Sequence, residues 1–394
     1  MRILCITNLY PPYFEGGYEI SVKDNMDYLS RQGHDIYILT GNRRSSDLQD
    51  APVSAIITRP LRALHFIDYQ HPGMRNKHRV EKHNYALTLS ALDLVTPDLV
   101  YFGNQKGISL ASVFAVQNQG YPKVFDIGDF WPDSYIGTGL KSRAYRWLKR
   151  QLPFTVGGRL DLDPVIAVSD WMIQELSKRY QSRHIYHIPR GVALPIQQIG
   201  PIHKPLRFLF AGRIEVNKGL ELCIKAAHQV RDLHPDFGLD VYGDGDPDYI
   251  DHLNAQIENL RLGNNIRFRG KYHDVSTILP DYDVLLMPTL AREAFGRIII
   301  EAMSYGLIVI ATDAYGPKEI IDSGINGFLV QASSVSALAS AILKLYELRE
   351  DEFNAIRDKA RNTVANKYEI NKLRATMETT LINISNEYYH SQRG

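Results

Sequence analysis

A chain of 394 residues with 44% hydrophobic and 23% charged side chains has the makeup of a folded globular protein of two or three domains, not of a disordered or fibrous one. Its net charge of +1 gives no global attraction to nucleic acid, and no apolar run reaches the roughly 20 residues that cross a membrane. The only cysteines, Cys5 and Cys223, stand in apolar surroundings. They exclude a disulfide framework or structural zinc site and predict a reduced, cytoplasmic protein. Met1 leads directly into a strand-like run, with no secretory signal pattern.

Residues 3–7, ILCIT, predict a first strand. The loop NLYPPYFEGG follows, Asn8 to Gly17, and then a helix from Ser21 to Gln32, spaced through Val22, Met26 and Leu29. Gly33 ends that helix, and Ile36 to Leu39 predicts the next strand. Gly16 and Gly17 at the helix entrance would let backbone approach a phosphate, although a glycine pair also marks a plain turn. There is no G-x-G-x-x-G, so a dinucleotide fingerprint is not supported. Residues 42–83 look least regular, rich in base (Arg43, Arg44, Arg59, Arg62, Arg75, Arg79) and exposed. A helix from Tyr85 to Leu94 and a strand from Asp98 to Phe102 follow.

Lys123 to Ile127 predicts another strand, with Gly128-Asp129-Phe130-Trp131-Pro132 at its carboxyl end. Asp129 could face a ligand there, or it caps the next turn and Asp126 is structural. Residues 141–159 hold Lys141, Arg143, Arg146, Lys149, Arg150 and Arg159 with no acid, interleaved with Trp147, Leu148, Leu152 and Phe154. That is a solvated helix face or a patch for a membrane surface or anionic substrate. Strands from Pro164 to Val168 and His184 to Ile188 lead to Pro189-Arg190-Gly191-Val192, where Arg190 is a cleft cation or a surface arginine.

The polar, proline-bearing stretch from Pro195 to Pro205 reads as a linker. It predicts a first domain over 1–195 and a second over 196–369, with a C-terminal helix over about 370–394 returning to the first. In the second domain a strand from Leu206 to Phe210 ends at Gly212-Arg213, and Lys218-Gly219 opens a helix. Arg213 and Lys218, five apart across that turn, could both reach a diphosphate. A strand from Leu239 to Tyr242 runs into Gly243, and one from Ile266 to Phe268 into Gly270-Lys271-Tyr272.

Val284 to Met287 then predicts a buried strand, Ile298 to Tyr305 a helix opened by Gly296, and Leu307 to Ala311 a second strand, a βαβ unit. Glu293 lies in its loop and Glu301 in its helix, among Ile300, Ala302 and Met303. A carboxylate in such company is costly unless paired. It caps backbone donors, pairs with a buried arginine, or accepts hydrogen bonds from a polar ligand. Backbone donors around Phe295 to Arg297 would hold an anion. A hairpin-like strand from Gly324 to Val330, an amphipathic helix from Val335 to Leu348 and a long helix from Tyr368 to Tyr389 complete the chain.

A proline, a glutamate loop, "FG" and then "EAMxxG", with Glu293 and Glu301 separated by seven residues, resemble the donor-binding motif of family 4 retaining glycosyltransferases, the glycosyl transferases group 1. The "GRxxxxKG" of residues 212–219 resembles that family's diphosphate clamp, and "PP…GG" its first loop. The resemblance covers nearly the whole chain and is most specific in its C-terminal half. It implies an α/β fold of two Rossmann-like domains facing each other across a cleft (GT-B), and transfer of a sugar from a UDP- or GDP-sugar to an acceptor hydroxyl.

By resemblance Arg213 and Lys218 neutralise the leaving diphosphate, Glu293 holds donor-sugar hydroxyls and Glu301 the ribose. Gly243, Tyr272, Ala294, Phe295, Gly296 and Arg297 line the donor, and Gly16 and Gly17 face its diphosphate. No metal or cofactor is implied, so Asp244, Asp246 and Asp248 read as turn residues. The acceptor would be lipid-linked or anionic, at the inner membrane face, in envelope polysaccharide assembly. The chain departs from the family at Gly128, where a histidine is usual, and at Arg190, where an asparagine is. A non-hydrolysing nucleotide-sugar epimerase and a non-catalytic sugar-nucleotide binding module are the other readings.

Overall fold

The computed structural model describes every residue except 15, 42–51, 68–73, 133–159, 197–199, 273 and 392–394. The basic patch over 141–159, and Arg43 and Arg44, lie outside the described residues. The chain divides into two compact units, Met1–Ile188 with Arg374–Gly394, and Pro189–Leu373.

The first unit runs β1 (Arg2–Thr7), α1 (Gly17–Arg31), β2 (Asp35–Gly41), β3 (Leu61–Leu64), α2 (Met74–Val95), β4 (Leu99–Phe102), α3 (Ala111–Gln119), β5 (Lys123–Ile127), β6 (Val165–Ala167), α4 (Asp170–Tyr180) and β7 (Ile185–His187). Its sheet has the order β3-β2-β1-β4-β5-β6-β7, parallel throughout. Strands covered on both faces read as unbroken apolar runs, and β1 is buried at every position after Arg2. Val22, Met26 and Leu29 recur at helical spacing and bury one face of α1. The same core takes Met377, Leu381 and Ile384 from the last helix, α11 (Ile370–Ser391), whose label follows the second unit's helices.

The described part of residues 42–83 departs from the exposed, irregular segment that their composition predicts. It includes β3, with Leu61 and Leu64 buried, and the first turns of α2. Two apolar positions three apart in a four-residue strand follow neither the strand nor a full helix period. In α2 the buried face carries Asn84 and Thr88. Asn84 bonds both backbone groups of His65 and the Ile108 carbonyl, and Thr88 donates to Ser112, so polar groups interrupt an inward stripe that otherwise holds Val80, Ala91, Leu92 and Val95. Helix α3 is buried over its first six residues and has no polar face there to set a period.

The second unit runs β8 (Arg207–Ala211), α5 (Leu220–Arg231), β9 (Gly238–Tyr242), α6 (Pro247–Asn259), β10 (Ile266–Gly270), β11 (Val284–Met287), α7 (Arg297–Ser304), β12 (Ile308–Thr312), α8 (Tyr315–Ile320), β13 (Phe328–Val330), α9 (Val335–Glu347) and α10 (Glu350–Lys367). Its sheet, β10-β9-β8-β11-β12-β13, is parallel in every pair. This is the doubly wound order, with the winding reversing between β8 and β11. The hairpin expected over 324–330 is absent: β13 pairs in parallel with β12. The turn signals there belong to a loop closed by Asn326, which accepts from the Asp322 N–H (2.8 Å) and donates to the Ile320 carbonyl (3.2 Å). Among the described residues no helix is long and apolar enough to cross a membrane.

Candidate active site at the strand reversal of the second unit

Open parallel sheets bind ligands beyond the carboxyl ends of their strands, where the winding reverses. In the second unit two loops meet there, one leaving β8 and one leaving β11. Asn217 ties them, its carbonyl accepting from Leu290 N–H (2.8 Å) and the Thr289 hydroxyl (3.1 Å). Gly219, at φ +76°, makes the contact possible, because a Cβ there would lie 2.0 Å from the Pro288 carbonyl oxygen. Gly219→Ala is therefore expected to cost about 2 kcal/mol or more, from overlap plus left-handed strain, read as a lowered urea midpoint at unchanged m.

The interlock brings Lys218 and Glu293 together. The ammonium sits 2.7 Å from a carboxylate oxygen, and the two side chains are only 26% and 19% exposed. Arg213, on the same loop, is 55% exposed and pairs with Glu215 at 2.5 Å, a partner that spacing did not single out. The backbone of Glu293 is fixed from α8: Gly316 N–H donates to its carbonyl (3.0 Å). A Cβ on Gly316 would meet the Phe295 backbone at 2.5 Å, so only glycine lets α8 pack this closely. Ala294 and Phe295 are buried, with the Phe295 ring edge-on to Tyr368.

Gly296 caps α7, and Arg297 is its first residue. One turn on, Glu301 meets Arg297 Nε at 2.9 Å, so the partner of this shielded carboxylate is the arginine of its own helix. Burial pushes the Glu301 carboxyl above the usual carboxylate range, and the Arg297 charge offsets only part of that. Tyr272 lies close enough for burial and the Glu301 charge to push its hydroxyl up to about 12. Its ring stands edge-on to Tyr242. Gly243 N–H donates to the Gly270 carbonyl (2.9 Å), joining the ends of β9 and β10. Asp246 caps α6 through Asp248 and Tyr249 N–H, and Asp244 accepts from Gly245 N–H.

The first unit has its own reversal, between β1 and β4. Gly16 caps α1, its N–H bonded to the buried Glu19 carboxylate (3.1 Å), and Gly17 is the first helical residue. Asp129 accepts from Trp131 N–H (2.9 Å) and from the Asn104 amide (3.2 Å). It thus caps a turn while standing at the carboxyl end of β5. Asp126 is inside that strand, buried, and bonded to the Tyr101 hydroxyl. Gly128 offers no side chain, and Arg190 is half-buried at the start of the second unit.

Two residues beyond the sequence reading position the first loop. Asn104 reaches Asp129, and its carbonyl accepts from Asn8 N–H (2.6 Å); its place directly after β4 was the available signal. Arg62 donates to the Tyr10 (2.8 Å) and Pro11 (2.6 Å) carbonyls and lies over the Tyr13 ring. Nothing in its local sequence separates it from the other bases of that segment.

Residues 15–194 match the family model described as Glycosyltransferase Family 4, and residues 195–363 match Glycosyl transferases group 1. A curated relative, the GtfA subunit of a UDP-N-acetylglucosamine–peptide N-acetylglucosaminyltransferase from Streptococcus pneumoniae, is 28% identical over 52% of this chain and 42% of its own. WcaL of Salmonella typhimurium, a putative colanic acid biosynthesis glycosyltransferase, is 28% identical over 45% of this chain and 46% of its own. The chain thus spans about half the length of the curated relatives it matches. Anabaena HepE, solved in complex with UDP, superposes at a TM-score of 0.72 with 21% identity, covering 97% of this chain and 100% of that one, which shows the shared fold. With one family model on each half and two Rossmann-like sheets of the GT-B kind beneath them, the chain belongs to the family 4 glycosyltransferases, the glycosyl transferases group 1.

Proposed function

We propose that the protein transfers a sugar from a nucleoside diphosphate sugar, UDP- or GDP-linked, to an acceptor hydroxyl with retention of anomeric configuration and without a metal ion. The observation that carries this reading is the Lys218–Glu293 pair, held at 2.7 Å where the winding of the second sheet reverses, beside the amino end of α7. As the bond from the anomeric carbon to the diphosphate oxygen breaks, negative charge grows on the departing phosphate. Lys218, Arg213 and the backbone N–H groups at Gly296 and Arg297 stabilise it. Glu301 accepts hydrogen bonds from the ribose hydroxyls. Glu293, sharing Lys218 with the diphosphate, orients the sugar through its hydroxyls.

The acceptor oxygen bonds to the anomeric carbon on the face that the phosphate leaves, and its proton passes to the departing phosphate oxygen. A double displacement would instead use an uncommitted carboxylate as nucleophile. Glu293 is committed to Lys218, which supports the single-face route. The WcaL relative and the bases of residues 42–83 support an anionic or lipid-linked acceptor in envelope polysaccharide assembly, met at the cytoplasmic membrane face.

A panel of UDP-, GDP- and ADP-sugars tests this. One nucleotide class is expected to raise the melting temperature by a few degrees at about 100 times its Kd, and to release free nucleotide slowly without acceptor. Product from an identified acceptor should keep the anomeric configuration of the donor. No binding by any nucleotide sugar at millimolar concentration would refute the reading. An epimerised sugar formed without acceptor would replace it with the epimerase reading.

A further inference from the structure

In a doubly wound sheet both faces are ordinarily covered by helices. In the second unit α5 and α6 cover one face of the β10-β9-β8 half, packing on Phe208, Phe210, Leu239 and Val241. Around Arg207, Arg267 and Arg269 the opposite face has no such cover, although Leu209 on it is buried. The connection from β10 to β11 is made of two short turns, Val275–Thr277 and Leu279–Asp281, with no α-helix among the described residues. The strands record this in their alternation. Register places Arg267 beside Asp240, and Arg207 beside Gly238, on the uncovered face. An open cavity of about 700 Å³ lies there, with Arg207, Asp240, Arg267, Arg269 and Tyr282 in its lining.

The arginines are arranged around a single buried carboxylate. Asp240 accepts from Arg267 Nε (2.9 Å) on one oxygen, and from the Tyr282 hydroxyl (2.7 Å) and Arg269 Nη2 (3.1 Å) on the other. Burial alone would push its carboxyl up, but the bonds from Tyr282, Arg269 and Arg267 outweigh that and hold it below the usual range. One negative charge thus anchors two guanidiniums. Each spends a single N–H on it, and the two side chains stay 55% and 42% exposed. Arg267 also lies across Gly238, where a Cβ would stand 3.7 Å from Nη2, so the glycine is the floor on which the guanidinium rests. Arg207 adds a third, its Nη1 making only a long bond (3.4 Å) to the Asp281 carbonyl. Guanidinium forks with spare donors, held flat by a buried acid and facing an open cavity, suit the tetrahedral oxygens of a phosphoryl group.

We propose that this uncovered face binds an anionic phosphoryl group between Arg207, Arg267 and Arg269, at a site separate from the Lys218–Glu293 loop. The group is carried either by a soluble phosphorylated compound or by a phospholipid headgroup. Inorganic pyrophosphate is the probe, titrated calorimetrically at fixed ionic strength because charge pairing is salt-sensitive. The donor-side loop is kept out of the readout by working in an Arg213→Ala, Lys218→Ala background, which removes both of its cations. There, saturable binding is expected, weakened about tenfold or more by Arg207→Gln with Arg267→Gln. Arg207→Gln alone, at an exposed position with one long bond, guards against misfolding and should weaken binding in the same direction. Absence of binding in that background, or binding that both arginine changes leave intact, would overturn the proposal. Cosedimentation with phosphatidylglycerol but not phosphatidylcholine vesicles, lost in the arginine variants, would assign the phosphoryl group to lipid. Pyrophosphate binding without vesicle binding would assign it to a soluble compound.

Discussion

Lys218→Ala is expected to lower turnover of the cognate nucleotide sugar by about two to three powers of ten, roughly 3–4 kcal/mol of transition-state stabilisation. The loss should fall mainly on kcat. Before the bond breaks, the diphosphate already carries its ground-state charge, which Arg213 and the amino end of α7 also meet. Only as the phosphate departs does extra charge appear beside the ammonium. The same substitution strips a shielded Glu293 carboxylate of its partner at 2.7 Å, so a smaller loss of stability, about 1 kcal/mol, should accompany it. The two effects separate experimentally, because turnover at saturating donor, well below the melting temperature, reads only the first. Lys218→Arg keeps the charge on a wider, flat group and should recover part of kcat. Turnover within about threefold of the parent would remove Lys218 from the chemistry, since about 0.7 kcal/mol is too little for a direct contact to the leaving group.

The second large effect is expected at Glu301, and its sign on stability is opposite to its sign on binding. Because burial raises its folded pKa, the ionised carboxylate is less comfortable in the free protein than in the unfolded chain. By linkage, its contribution to stability is fully present below the unfolded pKa and is lost as pH rises through the folded one. Glu301→Gln removes that penalty. The free protein should be no less stable at neutral pH and should show a flatter stability profile between mildly acidic and neutral conditions. Nucleotide affinity should meanwhile fall by about two powers of ten, because a carboxylate accepts two ribose hydroxyl bonds where an amide accepts one weaker bond. In the parent, affinity should fall as acidification protonates Glu301, at a pH above that of an ordinary glutamate. Removing the 2.9 Å partner with Arg297→Ala should move that fall to still higher pH. A melting curve with and without nucleotide across pH 4.5–7.5 measures both signs, and equal nucleotide shifts in parent and Glu301→Gln would take Glu301 out of the binding site.

Much of the second unit is legible in the amino-acid sequence. Its strands are short and largely apolar, and Arg213, Lys218 and Glu293 stand in the loops that leave β8 and β11, with Glu301 one turn into α7, where spacing can place them. What spacing could not show is pairing. That Lys218 meets Glu293 depends on Asn217 and Gly219 locking two loops 70 residues apart in the chain, and a glycine at φ +76° looks in sequence like any other helix start. Arg297 was legible as a backbone donor, yet its side chain turns back onto Glu301 because residues four apart share a helix face. The first unit was harder to read for a different reason. Its α2 interrupts the buried stripe with Asn84 and Thr88, so only Tyr85 to Leu94 of it is legible, and its α3 is buried on nearly all sides, so there hydrophobic periodicity, the main signal, is missing.

The last helix carries a consequence for how the molecule comes into being. Met377, Leu381 and Ile384 sit in the same apolar core as Ile3, Cys5 and Val22, so segments more than 350 residues apart are neighbours in one packed interior. Synthesis delivers the first of them well before the last. The first unit must wait, with part of its interior open to water, until the whole second unit has left the ribosome. The second unit, continuous from Pro189 to Leu373, has no such wait. The half that is made first is therefore the half that finishes folding last.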